Sequence, residues 1–243
     1  MAQIGIIGSE GAMGQALARV IEDAGHTLSG GIDRGGDAAA LADASDVLVD
    51  FSAPQALDAN LHAAIGAGVP LVIGTTGLED RHHAAIDEAA RAVAVLQTGN
   101  TSLGVNLLAA LVEQAAAGLG EDWDIEILET NHRRKVDAPS GTAIAIANAA
   151  VEGKGGPFTA PKAEKELIPN TRGGDSNGVT VHSARMPGRM AHHELVFGTL
   201  GQTLTIRHDS INRESFMPGV TMAIREVVNR TGLTVGLDKL MGL

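Results

Sequence analysis

The chain has no cysteine and no tyrosine, and aromatic residues make up only 2% of it. Without cysteine there are no disulfides and no thiolate metal sites, and the redox compartment is left undetermined. With one tryptophan, Trp123, base-stacking platforms for nucleic acid have almost nothing to be built from. Positive charge is also scarce: 18 Lys and Arg stand against 29 Asp and Glu, a formal net charge of −11. Nucleic-acid binding rewards a basic surface instead. No apolar run reaches the ~18–20 residues of a membrane span, and no basic, then apolar, then small-residue leader is visible. The expectation is a soluble, cytoplasmic protein that engages neither nucleic acid nor membrane. Its 243 residues, 44% of them hydrophobic, suffice for one large or two modest cores.

What is present is a regular alternation. "QIGIIG" (Gln3–Gly8) reads as a buried strand ending in glycine. "GAMGQALARVIEDAG" reads as a helix with an apolar stripe at Met13, Leu17, Val20 and Ile21, closed by Gly25. Strands "TLSGGID", "DVLVDFS", "VPLVIGTTG" and a final "VAVLQTG" follow, interleaved with helices "PQALDANLHAAIGAG", with Pro54 at its start, and "EDRHHAAIDEAARA". This spacing predicts a parallel sheet covered on both faces. The pattern then changes to a long helix "LGVNLLAALVEQAAAGL", an alternating strand "WDIEILET" and a helix "SGTAIAIANAAV". A Gly-, Pro- and Lys-rich surface loop runs from about Gly153 to Asn177. Three strand-like runs at hairpin spacing come next, "GVTVHSARM", "HHELVFGT" and "QTLTIRHDS". In the terminal helix "RESFMPGVTMAIREVVNR", Pro218 predicts a kink or a late start. The outline is α/β followed by α+β.

Two stretches carry chemistry. "GSEGAMG" sets Gly8, Gly11 and Gly14 at the first strand–helix junction, where a tight turn, close approach of a pyrophosphate and a helix N-terminus are needed together. Asp33, in "GIDRGG" at the end of the second strand, can accept hydrogen bonds from an adenosine ribose, and Arg34 can pair with a 2′-phosphate. NADH and NADPH are both open on this reading. "GTTG" (Gly74–Gly77) and "TGNTS" (Thr98–Ser102) end the fourth and fifth strands, where open α/β sheets bind ligands, and suit a nicotinamide carboxamide. The second stretch, "ETNHRRKVDAPSGTA" (Glu129–Ala143), concentrates cations in an acidic chain and leads straight into a helix start. A helix start at Ser140, Gly141 and Thr142 turns its first-turn N–H groups and positive dipole end to the loop, and with Lys135 and His132 the stretch is read as a carboxylate receptor. Asp137 is read as holding the loop by pairing with a neighbouring cation or amide. A reducing cofactor beside a carboxylate site suggests hydride transfer to an electron-poor carbon of an anionic substrate. Lys135 or His132 would stabilise charge or supply the proton.

In order and spacing, "GSEGAMG", "GTTG", "GNTSLGVNLL", "HRRKVDAPSGTA" and "IRHDSINRESFMPG" resemble the 4-hydroxy-tetrahydrodipicolinate reductase family over essentially the whole chain. The resemblance implies a Rossmann-type parallel-sheet domain (1–102), an α+β substrate and oligomerisation domain with a mixed sheet (103–212), and a C-terminal helix returning to the first domain (213–243). It implies NADH- or NADPH-dependent reduction of a cyclic imine dicarboxylate, with loss of water, in lysine and diaminopimelate biosynthesis. It further implies a homotetramer joined through the substrate-domain sheets. Carried over by motif, Gly8, Ser9, Glu10, Gly11, Ala12 and Met13 would cradle the pyrophosphate, and Asp33 and Arg34 would read the ribose. Gly74, Thr75, Thr76, Thr98, Gly99, Asn100 and Thr101 would line the nicotinamide. His132 would touch the substrate, Lys135 would act on it as cation or proton donor, and Ser140, Gly141 and Thr142 would bind a carboxylate.

This chain departs from the family pattern at four places. Asn131 stands where the family has the first of two histidines, its proposed acid, and an amide does not deliver a proton near neutral pH. Either His132 or Lys135 takes over, or the first histidine is not essential as an acid, or activity is reduced. Ala12 replaces an arginine of the glycine loop, which tilts the cofactor toward NADH. Thr101 replaces an aromatic, and "RMPGRMAHH" replaces an Arg-Gly-Gly-Asp run. Two alternatives stand beside the reductase: a catalytically impaired nucleotide-binding relative serving as sensor or partner subunit, and a reductase of a different cyclic imine dicarboxylate. No metal site is expected. His82 and His83 read as solvated neighbours on a helix, and His192 and His193 as strand neighbours facing opposite ways.

Overall fold

Each apolar run of the first hundred residues becomes a short strand, and the runs between them become helices. In chain order these are β1 (Gln3–Ile7), α1 (Ala12–Val20), β2 (Thr27–Ile32), α2 (Ala38–Asp43), β3 (Val47–Asp50), α3 (Leu57–Ala67), β4 (Leu71–Ile73), α4 (Asp80–Ala89) and β5 (Val95–Gln97). Then follow α5 (Leu103–Leu119), β6 (Asp124–His132), α6 (Gly141–Lys154), β7 (Gly174–Ser176), β8 (Val179–Met186), β9 (Ala191–Thr199) and β10 (Gln202–Ser210). The chain closes with α7 (Met217–Val227), β11 (Leu233–Val235) and α8 (Asp238–Met241). The computed structural model describes all residues, Met1–Leu243. They form two compact units, Met1–Leu103 with Arg213–Leu243, and Gly104–Asn212.

In the first unit the strands make a six-stranded, wholly parallel sheet in the order β11-β5-β4-β3-β1-β2. Every residue of the central strand β3 is buried, as a sheet covered on both faces requires. One face packs Ile4, Ile6, Val49 and Leu96 against Leu17 of α1 and Val220 and Ile224 of α7. The other packs Ile7, Leu48, Leu71 and Ile73 against Leu57 of α3 and Ile86 of α4. Three elements of this unit have no counterpart in the sequence reading, the last of them the short α8 (Asp238–Met241). The first is α2, started by Asp37, whose carboxylate accepts from the N–H groups of Ala39 and Ala40. The second is β11, which makes β5 an interior strand rather than the last one. Helix α1 ends at Val20 rather than at Gly25. Pro54 opens a 3-10 turn ahead of α3, and Pro218 sits in the first turn of α7, where a missing N–H breaks no helical bond.

The second unit is a mixed sheet in the order β10-β9-β6-β8-β7. Its three late runs do not form consecutive hairpins. Strands β9 and β10 do pair antiparallel, but β6 lies between β9 and β8, and β8 runs parallel to β6. The antiparallel partner of β8 is β7, joined through Asn177 and Gly178 at φ 55 and 83. That pair of positive φ values suits a tight two-residue hairpin. Along β6, Ile125, Ile127, Glu129 and Asn131 are buried, while the residues between them are not. This inward face packs with Leu195, Phe197 and Val181 against Leu108 and Val112 of α5 and Ile146 of α6. Both helices thus cover one face of the sheet. No helix is long and apolar enough to cross a membrane.

Candidate functional site

At the end of β1, Gly8 turns at φ 84 and donates its N–H to Ile32 O at 2.8 Å. A side chain there would meet the Phe51 carbonyl at 2.5 Å. The loop is closed from β2 by Asp33, whose Oδ2 accepts from Ser9 Oγ (2.9 Å) and Glu10 N (2.8 Å). Both bonds fall on one oxygen of Asp33. Arg34 beside it is exposed and makes no ion pair. Helix α1 starts at Gly11 without a side-chain cap, so first-turn N–H groups and the positive dipole end are offered at the loop. Glycines where a Cβ would strike backbone, together with an uncapped helix start and an acid at the end of β2, fit a dinucleotide pyrophosphate and ribose.

The ends of β3 and β4 and the helix α3 are tied together by a carboxylate that the sequence reading missed. Asp50 is fully buried and accepts from Ser52 N (2.8 Å), Ser52 Oγ (2.6 Å), Asn60 Nδ2 (2.9 Å) and Thr75 Oγ1 (2.9 Å). Four donors compensate a charge with no cation beside it. Thr75 therefore has its hydroxyl engaged inward, while Thr76 is exposed. Gly74 lies under the Phe51 ring, where a Cβ would come within 2.1 Å of Cε1. After β5, Thr98 Oγ1 donates to Asn100 O (2.9 Å), and Asn100 Oδ1 accepts from Ser102 N (2.8 Å). Thr101 is buried, and its carbonyl lies where a Cβ on Gly219 of α7 would meet it at 2.0 Å. Gly99 is exposed at the tip.

In the second unit, β6 runs on through Asn131 and His132, so the two side chains leave opposite faces of one strand. Asn131 is 3% exposed, and its Nδ2 donates to Glu129 Oε2 at 3.1 Å. A turn follows, closed by Lys135 N to His132 O (3.0 Å). Arg133 and Arg134 point to solvent. Lys135 Nζ lies 2.9 Å from Asp137 Oδ1. Partial burial pushes the Asp137 carboxyl up, but the Lys135 ammonium, its own N–H and the N–H of Gly141 bring it below its ordinary value. The loop thus already holds a carboxylate, its own, between a lysine and the start of α6. Ser140 is the N-cap: its Oγ accepts from Ala143 N at 3.1 Å, and its N–H goes to Glu129 Oε1 at 3.0 Å. Of the three amides in the predicted receptor, that of Ser140 is engaged inward.

Glu129 and Arg185 were not among the expected site residues. Burial raises the Glu129 carboxyl, yet the donors around it hold it far below the usual carboxylate range. They include Ser140 N, Ser183 Oγ (2.7 Å) and Arg185 Nη2 (2.8 Å), all on Oε1, while Asn131 Nδ2 bonds Oε2. His193 Nε2 stands 3.7 Å from Oε2, an electrostatic neighbour beyond hydrogen-bond length. A usable signal was present in the sequence, because Glu129 shares the inward parity of Ile125 and Ile127. The histidines need one correction. His82 is 1% exposed rather than solvated, and its Nδ1 accepts from Glu79 N at 2.8 Å to cap α4. His192 and His193 do face opposite ways, His193 buried and His192 on Asp209 at 2.6 Å. No group of three or more His, Asp or Glu side chains is placed to hold a metal ion.

Comparison with known proteins covers both units. Residues 2–101 match the family described as dihydrodipicolinate reductase, N-terminus, and residues 104–241 the one described as dihydrodipicolinate reductase, C-terminus. The 4-hydroxy-tetrahydrodipicolinate reductase of Beutenbergia cavernae is 39% identical over 99% of both chains. That of Cutibacterium acnes is 41% identical over the whole of both. Among solved structures, dipicolinate-bound dihydrodipicolinate reductase from Paenisporosarcina sp. TG-14 superposes with a TM-score of 0.85, at 30% identity and 99% coverage of each chain.

Proposed function

The chain belongs to the dihydrodipicolinate reductase family, and on that premise we propose that it reduces 4-hydroxy-tetrahydrodipicolinate to tetrahydrodipicolinate, with loss of water, in lysine and diaminopimelate biosynthesis. It is an oxidoreductase that uses a nicotinamide cofactor, which supplies the hydride. Gly8 to Met13 and Asp33 would hold the pyrophosphate and ribose, and the loops at Gly74–Thr76 and Thr98–Thr101 the nicotinamide. The observation that carries the substrate assignment is the carboxylate of Asp137 held 2.9 Å from Lys135 Nζ, just ahead of the start of α6. Lys135 and that helix start would receive a substrate carboxylate in the same way. Lys135 would also stabilise the charge that develops as hydride arrives. With Asn131 hydrogen-bonded inward, Lys135 and His132 are the protonatable groups that serve the loop. The sensor reading rested on Asn131 alone, and no observation favours it.

Two finer assignments belong to the same reading. Both cofactors are accepted, with NADH preferred, because Ala12 contributes no cation while Arg34 stays available beside Asp33. The assembly is a homotetramer through the sheet face that α5 and α6 leave uncovered, where Leu128 is 44% exposed among paired charges such as Arg207–Glu194. The test is the initial rate of NADH and NADPH oxidation with substrate generated in situ, alongside light scattering for mass. Absence of cofactor oxidation with fresh substrate overturns the assignment. A higher kcat/KM with NADPH reverses the preference, and a monomeric mass removes the tetramer.

A further inference from the structure

The buried carboxylate behind the cationic loop is larger in reach than a packing role needs. Glu129 is 1% exposed, and its Oε1 alone gathers Ser140 N, Ser183 Oγ and Arg185 Nη2. The same Arg185 Nη2 donates to the carbonyl of Asp137 at 2.6 Å, and its Nη1 to Ala184 O at 2.8 Å. Glu129 therefore grips both ends of the segment Asp137–Ser140, one directly through the amide of Ser140 and the other through Arg185. Lys135 and Asp137 lie at one end of that segment, and Gly141, the first residue of α6, follows the other. An ionised acid buried this deeply is tolerated only while its donors stay in place. The carboxylate and the loop geometry thus fix each other.

Asn131 belongs to this arrangement. Its amide donates to the second oxygen, Oε2, with no charge and no acidic proton to deliver near neutral pH. On the opposite side, Ser140 Oγ stands 3.4 Å from His193 Nε2. We propose that Glu129, Asn131 and Arg185 are positioning residues that preset the Lys135–Thr142 carboxylate seat, with Asn131 acting as a neutral donor to Glu129 and not as a proton source. The proposal rests on the reading of that loop as a carboxylate seat.

The test separates affinity from proton delivery. Dipicolinate, a planar dicarboxylate, is titrated into wild type, Glu129→Gln, Asn131→Leu and Ser183→Ala by calorimetry. On the same samples NADH affinity, substrate KM, kcat and the pH profile of kcat are measured. Glu129→Gln is expected to weaken dipicolinate and raise KM at least about tenfold, and Asn131→Leu about fivefold. NADH affinity and the shape of the pH profile are expected to hold. A fall in kcat or a shifted pH profile for Asn131→Leu with dipicolinate affinity intact places Asn131 in the proton path and overturns the proposal. So does unchanged dipicolinate binding in Glu129→Gln. If Glu129→Gln fails to fold, as loss of a cooperative urea transition in the second unit would reveal, the milder Ser183→Ala and Asn131→Leu decide in the same terms. Failure of the wild type to bind dipicolinate removes the seat itself, and the proposal with it.

Discussion

Replacing Gly14 by alanine tests whether the glycine loop is as tight as its contacts indicate. A methyl group there would come 2.3 Å from the Gly8 carbonyl oxygen, 2.7 Å from Ser9 Cα and 2.9 Å from Ser9 O. All three are backbone atoms, and Gly8 is itself held by its bond to Ile32 O. Restoring an ordinary contact of ~3.5 Å requires α1 to move by about 1 Å against the loop. Overpacking of this kind costs ~1–3 kcal/mol, and the helix preference of alanine over glycine, ~1 kcal/mol, offsets part of it. The net expectation is a destabilisation of about 0–2 kcal/mol in urea unfolding. The displaced helix start is also the proposed pyrophosphate seat, so the NADH Kd should rise at least about tenfold, or ~1.4 kcal/mol. Gly118 supplies the control. It lies exposed in α5, and a methyl group added there would have nothing within 4 Å. Alanine at that position should stabilise by ~0.5–1 kcal/mol and leave NADH binding alone. Equal stability and equal NADH affinity in Gly14→Ala would refute the close approach. Shifts of the same sign in both variants would refute the reasoning that distinguishes them.

Phe197 is fully buried in the second unit, and Phe197→Ala should remove ~3–5 kcal/mol from the urea stability of that unit; a loss under ~1 kcal/mol contradicts the packing. Both ring nitrogens of His26 are buried without a partner, and burial, the chain's amino terminus and Arg225 lower its pKa from 6.5. The unfolded chain then takes up a proton that the fold resists, so this contribution is intact above the unfolded value and is lost as pH falls through the folded one. His26→Gln should flatten the decline in thermal stability as pH falls below the unfolded value of 6.5; an unchanged slope disproves the assignment. Lys135→Met should lower kcat/KM by ~10²–10³ while NADH affinity, carried by the other unit, stays put. A loss of less than about threefold takes Lys135 out of the chemistry.

Runs such as "VLVD" and "LGVNLLAALVEQAAAGL" announced β3 and α5 because burial on both faces, or on one helical stripe, leaves its period in the sequence. Strand β11 did not, since three residues, Leu233–Val235, carry no period and owe their pairing to β5. The order of the mixed sheet was equally illegible. The spacing of β8, β9 and β10 suggests hairpins, yet the insertion of β6 between β8 and β9 is a tertiary choice driven by its apolar inward face. At the site, the residues of the cationic loop were visible by charge. Their supports were harder to see: Asp50 and Glu129 are acids whose importance comes from donors 2 to 56 positions away in the chain. Asn131 was read through its chemistry, as a missing proton, where strand parity reads it as an inward amide.

The first unit is made of both ends of the chain. Val220, Ile224 and Leu237 fill the same core as Ile4 and Leu17, and β11 completes the sheet beside β5. Synthesis is vectorial, so a nascent chain stopped before Arg213 contains every residue of the second unit but only five strands of the first. Strand β5 is then an open edge, and one face of the sheet lacks its α7 cover. Domains usually mature in the order in which they leave the ribosome. Here that order is inverted: the unit begun second is finished first, and the nucleotide fold that opens the chain waits for its last residues.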